Sequence, residues 1–362
     1  MILSSLYSLF SPLCFVPGGI YFFLRRPPAN FAADKKTNVM KNLVPVFFSV
    51  NDAYAPFLAV TLASIRDNAS RDYVYAVHIL TDDITPANRI RLEALAREDF
   101  RIAFYPLAER LQRLPGVKKL QEHCFEAFAS PTIYFRLFIP ELFPQYDKAL
   151  YLDADIVVPG DISRLYREPL GDKLVGAVAD YSIQKIAPFM RYIDDYVGVD
   201  HANYVNSGVL LLNCRRLREE KLADRFLHWV GRYGLETVAP DQDYLNVLCW
   251  NGIQYLDPSW NAMPSESITQ LDNPQIIHFN LASKPWFNES VPYDDVFWKY
   301  AAVSGFEADI RARRTAFLRD SGAVTRYQDA VDRLIGLASR LSRSECSFRS
   351  LINSRREFRL CS

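Results

Sequence analysis

Apolar and polar positions alternate in short, well-separated blocks along most of the chain. Residues 45–50 (Pro-Val-Phe-Phe-Ser-Val) are a short apolar run rich in β-branched and aromatic residues, the mark of a buried strand. From Tyr54 to Asn68 the spacing becomes helical, with Phe57, Val60, Thr61, Ser64 and Ile65 on one face. Residues 74–80 predict a second strand. Thr85-Pro86 predicts the start of a helix running to about Arg97, with Pro86 in the first turn, where its missing N–H costs nothing. Residues 101–105 predict a third strand. Strand, helix, strand, helix, strand at this spacing is the pattern of a parallel sheet with crossover helices.

Beyond this block, Pro131 to Leu142 predicts a helix ending before Pro144. Lys148 to Leu152 predicts a strand that runs directly into Asp153-Ala154-Asp155. Leu174–Ala179 and Val205–Asn213 are further apolar runs, 215–233 and 241–250 have helical spacing, and Tyr255-Leu256 and Ile276-Ile277 read as short strands. After Phe306 the character changes. The tail has about a dozen arginines, no lysine and roughly half as many acids. Val331, Leu334, Ile335, Leu337, Ala338 and Leu341 keep helical spacing beside Arg333 and Arg340. Such a helix suits either an anionic membrane surface or a docked position with a solvated basic face, and both readings stand at this point. The expected organisation is therefore a leader over residues 1–42, an α/β domain over 43–305 and a basic, Arg-rich helical extension over 306–362.

Composition changes this picture little. Apolar residues are 49% and charged residues 23%, which is globular. The formal net charge is zero, so no global field draws the chain to nucleic acid, and no nucleic-acid partner is expected. Six scattered cysteines without a CxxC pair argue against a disulfide framework or zinc site and suit a reducing, cytoplasmic compartment. Met1 to Leu24 is largely apolar and is followed by Arg25-Arg26-Pro27-Pro28, as in a signal anchor. Pro12, Pro17, Gly18 and Gly19 interrupt it, and no basic residue precedes it. A disordered leader, a cleaved signal, an N-terminal anchor and a start at Met40 all remain open.

The candidate chemistry begins with Asp153-Ala154-Asp155. Ligands of open α/β sheets bind beyond the carboxyl ends of strands. Two carboxylates one residue apart repel each other, and a divalent cation removes that penalty. His278, after Gln275-Ile-Ile, offers an imidazole; with carboxylate oxygens it makes a set that suits Mn²⁺ better than Mg²⁺. Lys284 offers a point charge for a phosphate, and Trp286 a wall. Asp241-Gln242-Asp243, opening a helix after Pro240, reads either as a cap or as side chains facing a sugar ring. Asn206-Ser207-Gly208 reads either as strand entry or as a close approach to a ligand.

These motifs, in this order from Val44 to Trp286, resemble glycosyltransferase family 8, the retaining enzymes that include bacterial lipopolysaccharide glucosyl- and galactosyltransferases and glycogenin. The motifs are Ser49-Val50-Asn51-Asp52, Tyr134-Phe135-Arg136-Leu137, Leu152 to Asp155, Asn206 to Val209, Asp241 to Asp243, and His278 to Trp286. The resemblance implies a GT-A nucleotide-diphospho-sugar transferase fold, a Rossmann-like mixed central sheet flanked by helices. It implies metal ligation by Asp153, Asp155 and His278, and a diphosphate contact from Lys284. Donor-sugar contacts would come from Arg136, Asp180, Asn206, Asp241 and Gln242. Nucleoside contacts would come from Ser49, Asn51 and Tyr54, with Ala154 beside the donor between the two aspartates. Gln242, Asp241 and Arg136 would stand nearest the reacting carbon. The implied partners are a UDP-sugar and a glycan or glycolipid acceptor, with Mn²⁺ as cofactor. Three positions depart from the family pattern: Asn51 where Asp is frequent, Ala53 where Asn is frequent, and Leu281 where Gly is usual. They fit a second reading, a nucleotide-sugar-binding protein of weak or no activity. A phosphatase built on DxD would place Thr or Gly, not Ile156-Val157-Val158, after the pair.

Overall fold

The computed structural model describes residues 43–106, 131–264, 269–281, 283–288 and 290–360. The expected leader, and with it the question of an N-terminal anchor, lies outside these residues. Among the described residues no helix is long and apolar enough to cross a membrane.

In chain order the elements are β1 (Leu43–Ser49), α1 (Ala55–Asn68), β2 (Val74–Thr81), α2 (Pro86–Glu93) and β3 (Phe100–Pro106). A 3₁₀ segment, Pro131–Phe138, runs into the single turn α3 (Ile139–Leu142). Then come β4 (Ala149–Leu152), β5 (Ile156–Val157), α4 (Ile162–Arg167), β6 (Val175–Ala177), α5 (Ala187–Tyr192), β7 (Val209–Leu212), α6 (Cys214–Glu219), α7 (Leu222–Tyr233) and α8 (Pro240–Cys249). The chain closes with β8 (Ile253–Tyr255), β9 (Ile277–His278), α9 (Asp294–Ala301), α10 (Glu307–Arg319), α11 (Ala323–Leu341) and α12 (Phe348–Leu360).

Seven strands form one mixed sheet in the order β3-β2-β1-β4-β7-β6-β8. The parallel sheet expected from the N-terminal half is present: β1 pairs parallel with β2 and β4, and β2 with β3. The direction reverses at β7, which runs antiparallel to both β4 and β6. Side chains alternate between two cores. Val46, Phe48, Leu150, Leu152, Val209 and Leu211 enter one; Phe47, Tyr151, Leu210 and Leu212 enter the other. A sheet covered on both faces needs apolar residues at both parities, which explains the near-continuous apolar runs.

Two devices fix the end of β4. Because β7 is antiparallel, its entry lies beside the exit of β4: Leu152 is opposite Val209, and Asp153 N–H donates to Gly208 O at 2.7 Å. β5 and β9 then form a two-residue antiparallel ladder that sets Ile156 opposite His278. Helix α1 clamps this turn from below. Thr61 Oγ1 donates to Ile156 O at 2.7 Å, Ser64 Oγ accepts from Val158 N at 2.9 Å, and Asn68 Nδ2 donates to Val158 O at 2.9 Å. The polar Thr61 and Ser64 on an otherwise apolar helix face are there to satisfy this irregular backbone.

Several elements differ from the sequence expectation. The segment 131–142 is not one α-helix, because Pro140 has no N–H to bond the Arg136 carbonyl. The expected helix 215–233 breaks in two at Lys221, whose φ is +52°. The break lets Leu217, Leu222 and Phe226 all reach one core. Trp286 does not wall a site; it is fully buried and stacks on Phe57 at 4.0 Å.

The tail is docked. Phe306 and Ile310 join the core on one face of the sheet; Leu334, Ala338, Leu341 and Phe348 join the core on the other. Phe348 stacks on Trp229 and meets Tyr196 and Tyr244 edge-on. Two of the tail's arginines form exposed pairs, Arg340–Glu236 at 2.7 Å and Arg349–Asp195 at 2.8 Å. The apolar stripe that a lipid surface would have to take up is buried against protein, so of the two readings of this helix the docked one describes it. Leu334→Ala should cost about 2–4 kcal/mol of unfolding free energy. Val324→Ala, on the exposed side, should stay within about 0.5 kcal/mol. Denaturant titration of the full chain checks both, and equal small effects would show that the tail is not docked as described.

Candidate functional site

At the carboxyl end of β4 the chain must turn, and it does so through two carboxylates held by different cations. Asp153 Oδ1 accepts from Arg136 Nη2 at 3.0 Å and from Tyr151 Oη at 2.8 Å. Burial raises the Tyr151 phenol far above its ordinary range, so it stays protonated and donates. Asp155 Oδ2 pairs with Lys284 Nζ. Burial disfavours the Asp155 charge, but Lys284 and His278 together outweigh it and hold the carboxyl well below the usual carboxylate range.

Each carboxylate thus spends one oxygen on a protein cation and leaves the other turned toward His278. His278 Nε2 lies 3.2 Å from Asp155 Oδ1 and 3.8 Å from Asp153 Oδ2. Asp155 Oδ1 is buried without a hydrogen-bond partner. The three ligand atoms lie within 4.8 Å of one another. Edges of about 3 Å are what bonds of roughly 2.1 Å to one octahedral ion require. The space is kept open by Gly208: a Cβ there would fall 2.3 Å from His278 Cε1 and 2.7 Å from Asp153 Oδ2. Orphaned oxygen, converging donors and a cradle that only glycine leaves open all fit a divalent cation.

The triad lies at one end of a cavity of about 170 Å³. Tyr54, Arg136, Asp180, Asn206, Ser207, Asp241, Gln242 and Lys284 line the same cavity. Arg136 ties its floor together. Besides Asp153 it binds Asp241 Oδ2 at 3.0 Å and donates to Ser207 O at 2.7 Å, with its guanidinium over the Tyr151 ring. Burial pushes the Asp241 carboxyl up, against Arg136 and Ser207, which favour its charged form. Gln242 Oε1 accepts from Ser207 N–H at 3.0 Å, and Gln242 Nε2 donates to Asp180 Oδ2 at 3.0 Å. Asp243, the third residue of that motif, is structural: it accepts from Tyr192 Oη, Tyr204 Oη and Ala239 N–H.

Ser49, Asn51 and Ala154 are not brought into the cavity lining. Asn51 Oδ1 accepts from Tyr54 N–H and caps the following turn. Ala154 is buried, with its carbonyl oxygen 3.0 Å from Thr61 Oγ1. Leu281 lines the cavity at φ +45°, the left-handed backbone that a glycine adopts without strain. The sequence reading missed the apolar end of the cavity, formed by Ile133, Phe189, Ile193, Val238 and, from the tail, Leu334. It also missed Tyr151 and Asn261. Tyr151 was hidden in a strand motif; nothing in a single sequence marks Asn261.

Gly208→Ala should lower Mn²⁺ affinity at least about tenfold while leaving a cooperative thermal unfolding transition, because the added methyl displaces two ligands and little else. Isothermal titration checks this; wild-type affinity would show that the glycine is not what keeps the site open.

Comparison with known proteins bears on this geometry directly. The model for "Glycosyl transferase family 8" matches residues 45–290, which includes the sheet, the triad and the cavity floor. General stress protein A of Bacillus subtilis is 25% identical over 70% of this chain and 91% of its own. The lipopolysaccharide 1,2-glucosyltransferase of Escherichia coli K12 is 27% identical over 71% of this chain and 76% of its own. The crystal structure of the galactosyltransferase LgtC in complex with donor and acceptor sugar analogs superposes with a TM-score of 0.57 and 25% identity, over 72% of this chain and 96% of that one. The mixed sheet, the carboxylate pair at its switch point and the family match together place this chain in glycosyltransferase family 8, as a glycosyltransferase of the GT-A fold.

Proposed function

We propose that this chain is a divalent-metal-dependent, retaining hexosyltransferase that moves glucose or galactose from a UDP-sugar to a glycan acceptor, in lipopolysaccharide or another cell-surface saccharide. The observation that carries this reading is the convergence of three unspent ligand atoms, Asp153 Oδ2, Asp155 Oδ1 and His278 Nε2, beside the Lys284 ammonium. A nitrogen among carboxylate oxygens favours Mn²⁺ over Mg²⁺. Such an ion supplies positive charge against the diphosphate as it leaves. The similarity to a lipopolysaccharide 1,2-glucosyltransferase of Escherichia coli and to a solved galactosyltransferase supports a hexose donor. Scattered thiols, with Cys214 and Cys249 buried and unpaired, support a cytoplasmic site of action.

The chain's own residues take the remaining roles. Lys284 adds a point charge for a phosphate oxygen. Tyr54 offers a ring for the base. Arg136, Asp180, Asn206 and Asp241 orient the sugar hydroxyls. Gln242 cannot serve as a nucleophile: its oxygen and nitrogen are both committed, and a neutral amide is weakly basic. Retention then follows from attack on the face the diphosphate leaves. The bond from the anomeric carbon to the phosphate oxygen breaks, the bond to the acceptor oxygen forms, and the acceptor's proton passes to the departing phosphate. No dedicated base is needed.

The competing reading, a nucleotide-sugar-binding protein without turnover, rests on Asn51, Ala53 and Leu281. Leu281 changes the side chain but keeps the left-handed backbone, so the path of the chain at that point supports the enzyme. Release of UDP from UDP-glucose and UDP-galactose, with Mn²⁺ and after EDTA, separates the two. Turnover should depend on the metal, and Asp155→Ala should reduce it at least about a hundredfold. Full activity in EDTA would sink the metal role; donor binding without UDP release would establish the binding protein.

A further inference from the structure

His278 can serve the triad only if Nε2 carries a lone pair and the ring proton sits on Nδ1. A neutral imidazole adopts either tautomer, and the hydrogen bond at the far nitrogen decides between them. Here that far nitrogen, Nδ1, lies 3.0 Å from Asn261 Oδ1. An isolated asparagine would leave the matter open, because its amide can turn over and present Nδ2 instead. In this protein the amide cannot turn over, and the reason is a chain of bonds with fixed direction. A backbone N–H can only donate, and Gly208 N–H donates to Asn206 at 2.9 Å, so that atom of Asn206 is its oxygen. The other end of the Asn206 amide is then Nδ2, and it donates to Asp180 Oδ2 at 3.0 Å. Asn206 Oδ1 also accepts from Asn261 Nδ2 at 2.9 Å. Asn261 must therefore face His278 with its oxygen, and Nδ1 must be the donor. Asp180 is itself held by two more donors, Gln242 Nε2 and Ser182 Oγ. Asn261 and Asn206 are both buried, and their amides bond each other directly.

We propose that Asn261 is the positioning residue of the metal centre: it sets the tautomer and ring orientation of His278, and it is itself locked by Asn206 between the Gly208 amide and the Asp180 carboxylate. It does not itself line the cavity; it reaches the site through His278 and through Asn206, which does. The inference rests on the reading of Asp153, Asp155 and His278 as metal ligands, but its first test needs no metal.

That test is ¹⁵N-histidine NMR of the metal-free full-length protein. Wild type should show His278 protonated at Nδ1, whether or not Nε2 also donates to Asp155 Oδ1 at 3.2 Å, and Asn261→Leu, which keeps the volume and removes the acceptor, should lose the Nδ1 proton. Mn²⁺ binding by titration calorimetry or electron paramagnetic resonance should then weaken about 10- to 100-fold in Asn261→Leu. Asn261→Asp supplies the control for a merely structural role. It still accepts from Nδ1–H while losing the bond to Asn206, so its Mn²⁺ affinity should stay within a few-fold of wild type. An Nε2–H tautomer in wild type overturns the proposal, as does unchanged affinity in a folded Asn261→Leu variant or an Asn261→Asp variant as weak as the leucine one. If wild type shows the Nδ1–H tautomer yet binds no Mn²⁺, the metal reading fails while the tautomer assignment survives.

Discussion

Two negative charges one residue apart, at the bottom of a cleft, are the constraint around which this molecule is organised. Asp153 and Asp155 repel each other, and burial removes most of the water that would screen them. The fold answers with one cation per carboxylate. Arg136 reaches Asp153 from a 3₁₀ turn, and Lys284 reaches Asp155 from the segment after β9. Neither cation takes both oxygens. The pair is therefore stabilised without being satisfied, and the remaining two oxygens point at the same imidazole. An ion-pair network with every lone pair occupied would be a structural feature and nothing more. Here two carboxylate oxygens and an imidazole nitrogen converge instead, which makes the cluster a candidate metal site rather than a buried salt bridge alone.

Much of this was legible in the sequence, and the parts that were not have identifiable causes. The strands of the sheet were read from apolar runs because both faces are covered, and the carboxylate pair was read because it follows such a run. His278 could be joined to the pair only through a family resemblance. Its place is set by a two-residue ladder with β5, too short to leave any periodicity. Asn51, a nucleoside contact in the family reading, also caps the following turn through Oδ1; a polar residue after a strand serves either purpose, and the sequence alone does not show the cap. The tail offered two readings with identical patterns. An amphipathic stripe records that a helix buries one face, not what it buries it against.

That docked tail changes what the catalytic domain is. The family model ends at residue 290, yet Leu334 forms part of the cavity wall and Phe348 packs into the same core as α5 and α7. The apolar end of the cleft therefore includes a residue from outside the matched region. Variation in such a segment can reshape the apolar part of the cavity lining without touching Asp153, Asp155 or His278.

The floor of the cavity shows the same division of labour in its hydrogen bonds. Arg136, Asp180, Asn206, Ser207, Asp241 and Gln242 are paired with one another before any sugar arrives. Binding a hexose hydroxyl to such a floor cannot depend on polar groups left hungry, since each would cost about 1–3 kcal/mol when buried alone. It depends instead on capacity that pairing does not exhaust: a carboxylate accepts up to about four bonds, and Asp180 and Asp241 each keep some of theirs. The mutual pairing fixes the direction of the dipoles along this floor. Preorganisation of that kind is what electrostatic stabilisation of a developing charge requires, because dipoles that must reorient during the reaction repay part of what they contribute. The same bonds run on through Asn206 and Asn261 to His278, so the cavity floor and the carboxylate–histidine cluster are held in register by one continuous set of side-chain hydrogen bonds.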